Sequence, residues 1–269
     1  MREKISAGIA AGNEEDNIRR CLESVKWADE IVVVDSFSTD KTVEICKEYT
    51  DRITRHKWLG YVGQRNLVKD RTTGPWVLLI DADEEVSIEL KDEILRELEN
   101  PLCADCSGYE LSRMSRYFGR WIRHGEWYPD FKLRLFRKEH GRCGGKEPHD
   151  KITVDGRVKR LKNHLYHYTY RDISEQITTM NKFTTIAARG RHEDGKICHL
   201  WDLLLRPLIR FVRGYFLKRG FMDGLPGLII AVNAFYGTFV KYAKLWEIRH
   251  CSQPVPTDHC PGQQKKGKG

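Results

Sequence analysis

The chain has 269 residues, of which 40% are hydrophobic, 31% charged and 10% aromatic, enough for a real core and incompatible with a wholly disordered, collagen-like or low-complexity protein. Its net charge of +8 is unevenly held: residues 1–150 carry 25 basic and 29 acidic side chains, residues 151–269 carry 21 and 9. The second part is therefore expected to meet an anionic surface.

The first residues, Met1-Arg2-Glu3-Lys4, lead into a short apolar stretch with no signal-type apolar core or small-residue cleavage site, so export is not expected. Eight cysteines then read as reduced thiols in a cytoplasmic protein, and Cys103-x-x-Cys106, lacking a second pair, does not make a zinc site. Ile5–Ala10 predicts a strand. Asn13 is placed to cap a helix over Glu14–Val25, whose Ile18, Cys21, Leu22 and Val25 share one face. Glu30–Asp35 is a β-branched run expected as an interior parallel strand, and Ser38–Thr42 offers a second cap for a helix over Val43–Tyr49. A strand over Ile53–Trp58, a helix over Tyr61–Thr72 and a buried strand over Trp76–Ile80 complete an alternation that argues an α/β layer with a mostly parallel central sheet and flanking helices.

The region Cys106–Asp150 is less regular, with a strand expected over Lys132–Arg137, and from Tyr166 the pattern turns helical. Leu203–Leu217 sets Arg206, Arg210 and Arg213 at i, i+4 and i+7 among leucines and phenylalanines, a basic amphipathic helix. Gly224–Val240 has no charged residue over 17 positions but holds Pro226 and three glycines, and it is shorter than the roughly 20 residues of a span. It reads as an interfacial or docked helix. The organisation expected is an α/β domain over 1–170, in two halves of about 1–100 and 101–170, a helical membrane-associating extension over 171–250, and a disordered tail over 251–269.

Ligands of open parallel sheets sit at the carboxyl ends of the strands, where Asp35 and Asp81-Ala82-Asp83-Glu84 both fall. Two carboxylates one residue apart suit a hard cation such as Mg²⁺ or Mn²⁺ completed by a diphosphate, or else one of them caps a helix over Ser87–Leu98. Asp35 is placed to accept from a ribose hydroxyl or base N–H, or to bond its own turn. Neither a dinucleotide fingerprint nor a P-loop is present.

Taken in order, Asn13-Glu14, Trp27–Asp40, Gln64-x-Asn66, Trp76–Glu84, Trp127-Tyr128-Pro129-Asp130, Arg134-Leu135-Phe136, His149-Asp150 and His167-Tyr168 resemble the inverting glycosyltransferases of family 2, in particular the bacterial β-1,4-glucosyltransferases of lipopolysaccharide inner-core assembly. The resemblance spans roughly residues 4–245. It implies a GT-A nucleotide-sugar-binding fold, a nucleotide-sugar donor, Mg²⁺ or Mn²⁺, and a lipid-linked glycan acceptor. On it, Asn13 and Glu14 line a uridine pocket with Asp35, Gln64 and Asn66 belong to the substrate site, and Asp81 and Asp83 form the family's DXD motif, Asp83 on the metal and Asp81 nearer the ribose or sugar. His167 completes the metal shell or is a packed histidine, and Arg134 meets phosphate oxygens or makes a structural ion pair.

The general base that inversion needs falls on Asp150, where the family pattern has glutamate, with Glu126 and Asp130 as fallbacks. The basic helix, through Arg206, Arg210 and Arg213, is expected to hold the enzyme to the anionic inner face of the cytoplasmic membrane, or simply to pack on the catalytic domain. A polyprenyl-phosphate acceptor and a non-catalytic membrane adaptor on the same fold are the alternatives. Nucleic acid is not an expected partner, because the basic residues are interleaved with long apolar stretches such as Leu203–Leu205.

Overall fold

The computed structural model describes residues 2–100, 105–146 and 149–251, the last residues of that middle stretch and the first two of the next by backbone alone. Strand and helix alternate through the first part: β1 (Ile5–Ala11), α1 (Ile18–Val25), β2 (Glu30–Asp35), α2 (Thr42–Cys46), β3 (Ile53–Arg55), α3 (Gly60–Arg71) and β4 (Trp76–Asp81). Strand β1 lies between β2 and β4, and β3 follows β2, all in parallel, so the carboxyl ends of four strands share one edge. Being covered on both faces, these strands carry continuous apolar runs, and Ile5, Ile9, Val33, Leu78 and Ile80 are fully buried. A Cβ at Gly8 would stand 2.6 Å from Val68 Cγ1, so the glycine lets α3 lie directly against β1.

Next come β5 (Glu84–Val86), α4 (Ile88–Glu99), β6 (Cys106–Tyr117), β7 (Arg120–Trp121), β8 (Asp130–Arg137), β9 (Gly141–Lys146), β10 (His149–Val154) and β11 (Arg157–Tyr168). Strand β8 enters antiparallel between β4 and β6, β11 runs parallel to β6, and β5 closes the far side against β11. This return of the chain brings residues 84 and 167 into register across one ladder. The β9–β10 hairpin forms its own two-stranded sheet. Helices α5 (Ile173–Glu193), α6 (Leu200–Val212) and α7 (Gly224–His250) follow, with a π-helical turn over Arg213–Leu217 and a 3₁₀ turn over Gly220–Asp223.

Several local expectations are corrected. Asn13 does not cap a helix: it sits at φ +57°, its Oδ1 accepts from Thr39 N at 2.9 Å, and α1 starts later, at Ile18. Helix α4 is capped by Ser87, whose Oγ accepts from Leu90 N at 3.1 Å, which leaves Asp81 and Asp83 free of that duty. The segment at Tyr166 is strand, not helix, because Leu161 and Leu165 of β11 are drawn into the core on alternate positions. Cys106 is buried in β6, while Cys103 and the tail beyond residue 251 lie outside the described residues.

Arg206, Arg210 and Arg213 make ion pairs while their side chains stay about half exposed. Arg206 pairs with Asp202 on its own helix, and Arg213 makes two contacts to Glu126, at 3.0 and 2.9 Å, with Arg210 3.7 Å from the same carboxylate. Two of the three thus tie the end of the helix to Glu126. The exposed positions of α6 and its continuation are apolar and basic together, Leu204, Leu208, Ile209 and Leu217 beside the half-exposed Arg206, Arg210 and Arg213. Helix α7 is longer than expected, and the stretch Gly220–His250 is long and apolar enough to cross a membrane by length and composition. It packs instead along α5 and α6, burying Ile230, Ala231, Tyr242 and Leu245.

Candidate active site

Asp35 ends β2 fully buried, and its carboxylate accepts from Ser38 N at 3.1 Å, from Ser38 Oγ, and from Arg55 Nε at 3.2 Å. Ser38 Oγ in turn accepts from Asn13 N at 2.9 Å, so the loops after β1 and β2 are tied together around one carboxylate. Glu14 N donates to Thr42 Oγ1 at 2.7 Å, extending the seam. Gln64 is buried beside it on α3 and donates to Ser36 Oγ at 3.0 Å, and its Oε1 has no hydrogen-bond partner among the described residues. These residues are brought to one edge as the sequence implied. Asn66 is not. Its amide donates to Cys143 O at 2.9 Å and accepts from Cys143 N at 3.4 Å, tying α3 to β9, which is a framework role.

The second half of the site forms where β4 ends. Both oxygens of Asp81 lie 2.9 Å from Arg65 Nη2, and Oδ2 is 2.6 Å from Arg134 Nη2. The same Arg134 nitrogen is 2.8 Å from Oε1 of Glu84, which is fully buried and whose Oε2 accepts from Asp81 N at 3.0 Å. Burial and the Asp81 charge push the Glu84 carboxyl well up, against Arg113. Arg134 is therefore spent on two carboxylates, and the structural ion pair, rather than a phosphate contact, is what its burial supports.

Asp83 points elsewhere. Its Oδ2 is 3.2 Å from His167 Nε2, and His167 Nδ1 is 3.2 Å from Ser115 Oγ, which orients the ring. Burial raises the Asp83 pKa, but His167 and Arg113 outweigh it and the carboxyl is lowered overall. A carboxylate and an imidazole side by side could supply two ligands to a divalent cation. Among the described residues no three His, Cys, Asp or Glu side chains gather into a site that could hold a metal ion.

Glu14 faces the same region. Burial, followed by the charges of Asp83 and Glu175, lifts its carboxyl to about 7 against a hydrogen bond from Asn17. Tyr170 is raised by burial and then by Asp83. Two fallback bases are already engaged. Asp130 is held by Arg113 at 2.8 and 2.7 Å, and Glu126 by Arg213, with Arg210 and Lys218 beside it, which keep its pKa low although burial opposes them. The side chain of Asp150 lies outside the described residues; its backbone pairs with Gly145 in the hairpin that packs on α3.

Arg65 and Arg113 are the residues that sequence reasoning missed. Arg65 stands between Gln64 and Asn66, and a position flanked by two others of one motif on a helix facing the strand ends was the available signal. Arg113 carried none, because its partners Glu84 and Asp130 are brought to it by β6 and β8 pairing.

The profile of the family described as "Glycosyl transferase family 2" matches residues 6–155. A lipopolysaccharide core biosynthesis glycosyltransferase, LpsC of Rhizobium meliloti (strain 1021), is 32% identical over 262 residues, covering 94% of this chain and 95% of that one. An uncharacterized glycosyltransferase of Rickettsia typhi is 30% identical over 263 residues, covering 94% and 90%. Among solved structures, a mannosyltransferase of Pyrobaculum calidifontis in complex with GDP-Man and Mn²⁺ superimposes with a TM-score of 0.51 at 13% identity, over 94% of this chain and 88% of that one.

Proposed function

The chain belongs to glycosyl transferase family 2 and has a GT-A-type α/β fold, and from that footing we propose that it transfers a hexose, glucose from UDP-glucose, with inversion onto a lipopolysaccharide inner-core or related membrane-bound glycan. The observation that carries the donor half is the pairing of Asp83 with His167 at the same sheet edge as the buried Asp35. Asp35, with the Asn13–Glu14 loop and Gln64 around it, receives the nucleoside. The naming of LpsC for lipopolysaccharide core biosynthesis supports the acceptor class.

Asp83 and His167 would hold Mn²⁺ or Mg²⁺, and the Pyrobaculum enzyme was solved with Mn²⁺. Such an ion offsets the charge a departing diphosphate gains. Asp81, clamped by Arg65 and Arg134, is oriented toward the ribose or sugar rather than the ion. The proton of the acceptor hydroxyl passes to Asp150, the base that remains once Glu126 and Asp130 are accounted for by their cations.

The enzyme works, on this reading, as a peripheral protein on the inner face of the cytoplasmic membrane. Support comes from the apolar row of α6, with basic residues alongside it. Calorimetric titration of UDP and UDP-glucose with and without Mn²⁺, repeated on Asp83→Ala, tests the donor half. Metal-dependent binding that the variant loses is expected; no binding of a uridine nucleotide by the native chain would overturn the reading.

A further inference from the structure

Between α5, α7 and the turn over Gly125–Trp127 lies a cavity of about 240 Å³. Trp127 and Tyr170 line it, their rings 6.3 Å apart, and Tyr170 follows two residues after Tyr168, whose N–H donates to Asp83 O at 3.0 Å, which puts this wall near the donor site. Along the wall, Gln176 Oε1 accepts from Asn233 Nδ2 at 2.7 Å and from Tyr117 Oη at 2.5 Å, so two side-chain amides, each with a donor and an acceptor group, stand in the lining. An aromatic face with a separate donor and acceptor is what a sugar ring and its hydroxyls require.

The lining also carries charge. Lys241, Arg210 and Glu126 belong to it, Arg210 standing 3.7 Å from Glu126, and among the described residues no carboxylate lies within 4.0 Å of the Lys241 ammonium, which stands 4.8 Å from the Tyr242 ring centroid. Burial, then Arg191, Arg210 and Arg206, lowers the Lys241 pKa to about 8. Glu126, the acid of this wall, is already shared by Arg210, Arg213 and Lys218. A part-buried ammonium among guanidiniums, with its neighbourhood's one carboxylate outnumbered, is stabilised by an incoming anion.

We propose that this cavity is the acceptor subsite and that it selects a glycan carrying an anionic substituent, a carboxylate or a phosphate, held by Lys241 and Arg210 while the sugar ring lies against Trp127. The inference rests on the glycosyltransferase reading above and adds the chemical class of the acceptor. It also assigns Lys241, 158 positions beyond Asp83 in the chain, a part in substrate choice.

The test uses the full chain saturated with UDP and Mn²⁺, titrated with glucuronate, glucose 6-phosphate and glucose. One or both acids should bind about tenfold more tightly than glucose, the preferred acid identifying carboxylate or phosphate as the substituent. Lys241→Met should remove that preference and Lys241→Arg should keep it, both with unchanged UDP affinity. Equal binding of glucose, no binding of either acid, or an acid preference that survives Lys241→Met overturns the subsite. Loss of UDP binding by the native chain is a different result and overturns the donor reading itself.

Discussion

Arg65 Nη2 stands 2.9 Å from each carboxylate oxygen of Asp81, so one nitrogen on α3 fixes the orientation of an acid at the end of β4. Because a single nitrogen makes both contacts, the interaction needs a positive point and not a planar fork. Arg65→Met is expected to lower kcat/KM for transfer from UDP-glucose by about tenfold or more, through loss of orientation. Arg65→Lys should stay within about threefold of the native rate. Steady-state release of UDP measures both, and a lysine variant as poor as methionine would contradict the point-charge account.

Arg134 bridges Asp81 and the fully buried Glu84. Removing the guanidinium leaves a buried carboxyl with Arg113 at 3.5 Å as its nearest remaining cation. Arg134→Met should destabilise the fold by about 3–5 kcal/mol, the usual cost of stranding one member of a buried pair. Urea unfolding gives the figure. A loss under about 1 kcal/mol would mean that Arg113 suffices.

The raised Glu14 carboxyl makes a signed pH prediction. A folded-state pKa of about 7 against an ordinary 4.5 means that the native chain keeps a proton the unfolded chain has released. The contribution to stability is full below the ordinary value and is lost as pH rises through about 7. Native protein should lose about 1–2 kcal/mol across that window relative to Glu14→Gln, allowing for solvent screening of a partly exposed group. Parallel Tm-against-pH curves for the two proteins would refute it.

Membrane attachment should follow the leucines and not the arginines. Leu204→Glu with Ile209→Glu is expected to release the protein from vesicles of anionic lipid, since both positions are more than half exposed. Arg210→Ala with Arg213→Ala should leave most of the pelleting intact while speeding proteolysis near the π-helical turn, because those side chains fasten α6 to Glu126. The opposite pattern would return the arginines to the lipid surface.

The donor half was legible because its elements are local: Ile31–Val34 and Val77–Ile80 announce buried parallel strands, and an acid directly after each marks the sheet edge. What pairing across the chain decides was not legible. The contact of His167 with Asp83 depends on β11 running beside β5, so the resemblance could offer His167 to the shell of Asp83 while the local pattern, taken as helical from Tyr166, could not. Asn66 was expected at the substrate site because the resemblance includes Gln64-x-Asn66, yet helix positions two apart face different partners, and Asn66 meets the β9 backbone while Gln64 meets Ser36. The arginine row of α6 has the spacing of a membrane-facing stripe, and nothing local announces that Glu126 waits opposite it.

Asp223, just ahead of α7, accepts from the backbone N–H groups of Arg123 and His124, at 3.2 and 2.8 Å, and from the His124 ring at 3.0 Å. A few residues away, Cβ atoms at Gly214 and Gly227 would fall 2.9 Å from Glu126 Cγ and 1.9 Å from Gly220 O, so the backbones there are nested too closely to slide. The start of α7 is thus fastened to the 3₁₀ turn that carries Trp127. The position of the Trp127 ring is therefore set from the C-terminal helices as much as from the sheet.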